Sequence, residues 1–213
     1  MKNTVEALVL DLGGVIIDID YQLAADAFVR LGIPEFDALY SKARQSRLFD
    51  DFETGRISPA DFRRQIRSLL NASIADEQID AAWNAMLIGF PLDRIEWLEK
   101  LAQRYPVFVL SNTNDIHIEA FLKLSDATLG EGRFTSIFRK CYFSSRIGMR
   151  KPDREIFDFV VEENRLDKST TLFIDDSPQH VSGAFDAGLQ AALLQVEKGE
   201  TLEEKFSWLL QSE

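Results

Sequence analysis

Cysteine is nearly absent from this chain: of 213 residues only Cys141 carries a thiol, so no disulfide can close within it. That excludes the stapled small folds of oxidising compartments and fits a reducing cytoplasm. Beside Tyr142 and Phe143, Cys141 reads as a buried structural residue rather than a reactive one. Histidine is equally scarce. His117 and His180 stand without paired cysteine or histidine spacing, and read as structural or surface residues rather than metal ligands. Long apolar runs are missing too, and none approaches the roughly 20 residues that a bilayer-spanning helix needs. The opening Met1-Lys2-Asn3-Thr4 does not begin a signal peptide, because Glu6 and Asp11 interrupt the apolar stretch behind it. Positive charge is in deficit. Against 35 Asp and Glu there are 24 Lys and Arg, a net charge of −11, which argues against nucleic acid as a partner because phosphate backbones need a basic surface. No internal repeat and no low-complexity segment occurs.

What is present suffices for a sizeable core. Apolar residues make up 46% of the chain, as in an ordinary globular domain or a core domain carrying a smaller insertion. Leu8-Val9-Leu10 predicts a strand buried on both faces, ending at Asp11 with Gly13-Gly14 behind it. Residues 19–51 then read as helical, with Ala24, Ala27, Phe28 and Leu31 at helix spacing and a stop at Gly32 and Pro34. Ser58-Pro59 offers an N-cap and a first-turn proline to a helix carrying Phe62, Ile66, Leu69 and Leu70. Ile79, Trp83, Met86 and Leu87 continue the pattern, so residues 21–88 predict an all-helical block without strands.

Beyond Gly89-Phe90-Pro91 strands and helices alternate. Helices are predicted around Leu92 to Ala102, through Leu124, over 152–163, over 178–187 and around Leu202, Phe206, Leu209 and Leu210. Strands are predicted at 107–110, 140–144, 170–174 and 191–194. Such alternation implies a parallel sheet, with the helical block inserted after the first strand as a lid over the strands' carboxyl ends.

Four polar clusters end strands or open helices: Asp11, Ser111-Asn112, Lys151 and Asp175-Asp176. In a parallel sheet they project toward one edge, where open α/β sheets bind their ligands. Crowded carboxylates repel unless a cation joins them, and an oxygen-only set suits a hard ion such as Mg²⁺ with a phosphate ligand. Lysine and serine beside that ion suit an anionic group, so the constellation describes a metal-assisted phosphoryl site.

Four motifs in order carry a resemblance: Asp11-Leu12-Gly13-Gly14-Val15, Leu110-Ser111-Asn112-Thr113, Gly148-Met149-Arg150-Lys151-Pro152-Asp153 and Phe173-Ile174-Asp175-Asp176-Ser177-Pro178. Together they resemble the haloacid dehalogenase-like hydrolase superfamily, in its helical-cap branch. In motif the chain is most similar to bacterial sugar phosphatases of the glucose 1-phosphatase kind. The resemblance implies an α/β, Rossmann-like parallel sheet core over residues 1–17 and 89–213, with an all-helical cap over 18–88. It also implies a Mg²⁺-dependent phosphatase of small phosphorylated metabolites, sugar phosphates favoured, working through an aspartyl-phosphate on Asp11. By the same resemblance Asp11, the carbonyl of Gly13, Asp175 and Asp176 bind the metal. Ser111 and the backbone N–H of Asn112 hold phosphoryl oxygens, and Lys151 ties nucleophile to phosphate.

The chain also departs from the family pattern. Gly13 stands where phosphatases commonly carry a second Asp that protonates the leaving group, a role worth about 10²–10⁴-fold. Asp18 is the candidate substitute. His180 occupies a position where relatives tend to have Asn or Asp. Two alternatives therefore stand beside the phosphatase: a metal-independent 2-haloacid dehalogenase, or a phosphate- or partner-binding module with impaired catalysis. Arg44 and Arg47 are candidate selectors of substrate in the cap, and the oligomeric state stays open.

Overall fold

The computed structural model describes residues 4–32, 47–70 and 73–211. In chain order the elements are β1 (Ala7–Leu10), β2 (Asp18–Ile19), α1 (Tyr21–Arg30), α2 (Leu48–Glu53), α3 (Pro59–Leu70), α4 (Asp76–Asn84) and β3 (Leu87–Gly89). There follow α5 (Leu92–Ala102), β4 (Val107–Ser111), α6 (Asp115–Leu129), α7 (Arg133–Ile137), β5 (Lys140–Phe143), α8 (Ser144–Ile147) and α9 (Arg154–Asn164). The chain closes with β6 (Thr171–Asp175), α10 (Pro178–Ala187), β7 (Gln190–Leu193) and α11 (Leu202–Lys205).

Five strands form one sheet in the order β5-β4-β1-β6-β7, every neighbouring pair parallel. β1 lies at its centre because its aliphatic side chains can be covered on both faces, and all four of its residues are buried. The alternation of side chains across a strand is visible in the packing. Leu8 and Leu10 join Val107, Val109 and Ile174 under α5, α6 and α11, whereas Val9 joins Phe108, Leu110 and Phe173 under α9 and α10. Helices thus cover both faces, as a parallel sheet requires. Among the described residues no helix is long and apolar enough to cross a membrane.

The segment between β2 and β3 packs around its own apolar cluster of Phe28, Phe49, Phe52, Phe62 and Trp83, to which α6 adds Ile116. Phe62 is central, stacked on Phe52 with ring centroids 4.2 Å apart. Its burial is worth about 1.5–3 kcal/mol. Ser58 caps α3 as expected: its Oγ accepts from Asp61 N–H (3.1 Å), and Asp61 Oδ2 accepts in return from Ser58 Oγ–H (2.8 Å).

Two expectations change. The block predicted as strand-free ends in β3, which pairs antiparallel with β2, Asp18 opposite Gly89 and Ile19 opposite Leu87. Strands of two and three residues are too short to show a period of two, so the sequence could not reveal them. The predicted last helix breaks at Phe206, with α11 on one side and a 3₁₀ turn at Ser207–Leu210 on the other. Leu202, Phe206 and Leu209 are buried all the same, so apolar spacing predicted the packed face better than the backbone. In the stretch read as helical over 19–51, α1 ends at Arg30, just before the expected stop at Gly32, and α2 follows; residues 33–46, including Pro34, lie outside the described part.

Candidate active site

β1 and β6 are neighbours, and their carboxyl ends deliver Asp11 and Asp175 side by side. The N–H of Asp11 donates to the Ile174 carbonyl (2.9 Å), so its backbone is held to the sheet while the carboxylate leaves it. Asp175 is the last residue of β6, and its carbonyl accepts from Leu194 N–H (2.9 Å). Between the two carboxylates sits the ammonium of Lys151, with 0% of its surface exposed. Its Nζ donates to Asp11 Oδ1 (2.7 Å) and to Asp175 Oδ2 (2.6 Å). A buried ammonium survives only when paired in this way, which removes the possibility of a solvated surface lysine.

The loop that carries Lys151 is fixed by a side chain whose role the sequence did not disclose. The amide of Asn112 donates through Nδ2 to the Lys151 carbonyl and accepts through Oδ1 from Lys151 N–H, both at 2.9 Å. This reciprocal pair joins the end of β4 to the lysine loop. Ser111, the last residue of β4, is buried and opens on the same cavity as Asp11. Thr113 N–H donates to Ser144 Oγ (2.9 Å), and Asn114 caps α6 by accepting from His117 N–H (3.1 Å).

Asp176 follows Asp175 beyond the strand, and Gly14 makes room for it. A Cβ at Gly14 would stand 2.4 Å from Asp176 Oδ2, and the backbone there is left-handed at φ +74°, so only glycine meets both demands. Gly13 differs. It has ordinary backbone, and a Cβ would meet Ile19 Cδ1 at 3.1 Å, so the space beside it is partly filled by the side chain of Ile19.

Carboxylate oxygens of Asp11, Asp175 and Asp176 lie within 4.8 Å of one another. Burial and the charge of Asp175 push the Asp11 carboxyl up to about 7 against the pull of Lys151. Burial and Asp175 likewise raise Asp176 to about 6. Burial would also raise Asp175, but Lys151 and His180 overcome it and bring that carboxyl down to about 2. One lysine therefore cannot neutralise the cluster. An all-oxygen donor set with surplus negative charge fits a hard divalent cation such as Mg²⁺, and the Cβ-free cradle at Gly14 is what lets Asp176 complete it.

Both histidines line the cavity, and the oxygen cluster is made of Asp11, Asp175 and Asp176 without them. His180 Nδ1 lies 3.0 Å and 3.1 Å from the two Asp175 oxygens, and Asp175 Oδ1 also accepts from Ser177 N–H (2.8 Å). His117 is buried on α6, its Nδ1 2.8 Å from Asn84 Oδ1, its ring stacked on Trp83. Burial brings this imidazole down to about 3. Cys141 is half-buried in β5 rather than fully buried, and burial pushes its thiol up to about 12.

A cavity of about 440 Å³ opens from Asp11, Ser111 and Asp176 toward the helical segment, which contributes Tyr21, Phe49, Glu53 and Trp83. Asp18 does not line it. Its Oδ1 accepts from buried Arg94 Nη1 (2.8 Å), so the expected substitute acid is committed to an ion pair. Arg47 is the left-handed residue preceding α2 and lies off the cavity, while Arg44 falls outside the described residues. In their place Arg150 lines the cavity, bonded to Asp50 and, at 3.2 Å, to Glu53 Oε2.

Over 209 residues the chain is 30% identical to the D-ribitol-5-phosphate phosphatase of Bacteroides thetaiotaomicron, a match covering 98% of this chain and 100% of that one. A phosphatase of Mycobacterium tuberculosis is 27% identical over 198 residues, covering 90% of this chain and 88% of its own. Among solved structures, a HAD family enzyme from Bacteroides thetaiotaomicron in complex with magnesium and inorganic phosphate superposes with a TM-score of 0.87. That pair is 34% identical, over 95% of this chain and 99% of the other. The sequence matches the haloacid dehalogenase-like hydrolase family over residues 5–188, from before β1 to the end of α10, and the chain belongs to that family.

Proposed function

We propose that the protein is a Mg²⁺-dependent phosphatase of small phosphorylated metabolites, phosphorylated sugars and polyols foremost, in which Asp11 is the nucleophile. The observation that carries this reading is the buried Lys151, which bridges Asp175 and Asp11 behind the cavity that Asp11 lines. The named activity of the Bacteroides relative, and the magnesium and phosphate held by the HAD family structure, support it.

In this reading Asp11, Asp175, Asp176 and the carbonyl of Gly13 hold Mg²⁺, which when bound neutralises charge on the phosphoryl oxygens. Lys151 donates to the Asp11 oxygen and keeps that carboxylate aimed at phosphorus. Ser111 and the N–H of Asn112 hold the remaining phosphoryl oxygens, and the Asn112 amide keeps the lysine loop in register. A carboxylate oxygen of Asp11 forms a bond to phosphorus as the bond to the leaving oxygen breaks. The leaving oxygen takes a proton from solvent, since Gly13 offers no acid there and Ile19 packs beside it. Water then bonds to phosphorus as the bond between phosphorus and the Asp11 oxygen breaks, the water gives its proton to solvent, phosphate departs and the carboxylate returns. Such fixed donors and cations around developing charge supply most of the rate.

Residues 18–88 act as a cap over a core made of 1–17 and 89–213, excluding bulk water from the cavity. A net charge of −11 and a single, half-buried cysteine suit a cytoplasmic enzyme. Asp11→Asn and EDTA are each expected to abolish hydrolysis of an activated aryl phosphate. Activity surviving either treatment would overturn the mechanism.

A further inference from the structure

We infer that His117 reads the leaving group of the substrate by accepting a hydrogen bond from one of its hydroxyls, which makes it a specificity-determining residue for phosphorylated polyols and sugars. The inference rests on the phosphatase reading and adds a residue that no family motif contains.

Three observations converge on this ring. Its Nδ1 faces the carbonyl oxygen Oδ1 of Asn84 at 2.8 Å, a contact that requires the proton on Nδ1 and leaves Nε2 as a bare acceptor. Nε2 has no partner among the described residues, where the only buried side-chain nitrogen or oxygen left unpaired is Trp83 Nε1. Nε2 therefore opens on the cavity that the ring lines together with Asp11. The ring is also held still, stacked on Trp83 with centroids 5.2 Å apart and planes 12° from parallel. Burial keeps the imidazole neutral, so it does not become a competing donor near neutral pH.

The placement explains why a core helix carries the group. α6 starts at the end of β4, so its first turn stands next to the phosphoryl end of the cavity, and the Asn114 cap fixes where His117 falls. Asn84 and Trp83, which set the tautomer and the plane of the ring, both come from α4 of the helical segment. The acceptor is thus complete only when that segment covers the sheet. The same cavity has an apolar part made of Ile19, Phe49, Met86, Leu87 and Phe121. A hydroxyl entering such a wall needs a partner, and a substrate without one gains nothing from the histidine.

The test compares D-ribitol 5-phosphate with acetyl phosphate, which has no hydroxyl, at saturating Mg²⁺. His117→Leu should lower kcat/KM on the polyol phosphate about tenfold more than on acetyl phosphate, chiefly through KM, as loss of a ground-state hydrogen bond does. His117→Gln, which keeps a carbonyl acceptor, should recover most of that difference, and Asn84→Leu should reproduce a smaller part of it. Equal losses on both substrates, or no loss on either, would overturn the assignment while leaving the phosphatase intact. Wild-type protein that turns over neither compound would overturn the phosphatase reading and this inference with it.

Discussion

The two halves of the cavity are built on opposite principles. On the sheet side, charges are packed where water is scarce, and each depends on its neighbours: Lys151 on Asp11 and Asp175, Asp175 on His180, Asp176 on the missing Cβ of Gly14. On the helical side Phe49 and Trp83 line the wall and Phe62 packs behind them, the three rings stacked or tilted against one another within 6.3 Å. The first arrangement is intolerant of change because a buried charge without a partner is costly. The second resists change for another reason: removing one ring leaves a void, but no stranded charge. Reactivity is therefore concentrated in the half that stability favours least.

The sharpest way to break this contrast is Lys151→Met. Two carboxylates would face each other without the ammonium, at a cost of about 3–5 kcal/mol in urea unfolding without metal, and turnover should disappear. Added Mg²⁺ should return part of the stability and none of the turnover. Phe62→Ala should cost a similar 3–5 kcal/mol or so through its cavity, yet leave Mg²⁺ affinity within about threefold of wild type. Equal damage to metal binding would show that the aromatic half supports the charged one more directly than the contacts indicate.

Gly14→Ala tests the cradle. Its added methyl must displace Asp176, so Mg²⁺ affinity should fall about 10–100-fold by calorimetry, as when groups supporting a metal site are disturbed. A pH series separates the halves again at His117. Folded, its imidazole stays neutral down to about 3, whereas unfolded it protonates near 6.5. The unfolded chain thus binds the extra proton, and stability should fall as pH drops between those values, by at most about 1.4 kcal/mol per pH unit. The raised carboxyls of Asp11 and Asp176 act in the opposite sense, since protons that bind the fold more tightly stabilise it as pH drops. The comparison is therefore the difference between wild type and His117→Gln, which should lose the histidine slope and keep the rest. Smallest of all, Arg150→Ala should change stability by under about 1 kcal/mol, because its partners Asp50 and Glu53 are partly in solvent.

How much of this was legible in the sequence follows from distance along the chain. Asp11, Ser111 and Asp175-Asp176 each terminate an apolar run, and a parallel sheet gathers such ends at one edge whatever lies between them. Lys151 ends no strand, yet the charge of the cluster demanded a cation near it. The side-chain tie from Asn112 was not legible, since a motif position says which residue is present and not which of its groups is used. Nor was His117, whose meaning depends on Asn84 and Trp83 from a helix with no fixed register to it. Asp18 misled for the same reason: its partner Arg94 lies 76 residues away. Nor did the sequence show that Ile19, a residue of the short ribbon that periodicity could not reveal, packs beside Gly13.

That ribbon has a consequence of its own. Chain leaves the sheet through β2 and returns through β3, and the two pair with Asp18 opposite Gly89. Arg94 pins the outgoing side, bonded to Asp18, to the carbonyl of Ile16 and to Glu203 near the carboxyl terminus. Whatever is spliced between these strands starts and finishes at one point, so its length does not alter the spacing of β1, β4 and β6. The intervening helices can then be lengthened or shortened while the strand ends that carry Asp11, Ser111 and Asp175 keep their places, as one would change the bit in a drill whose chuck stays closed.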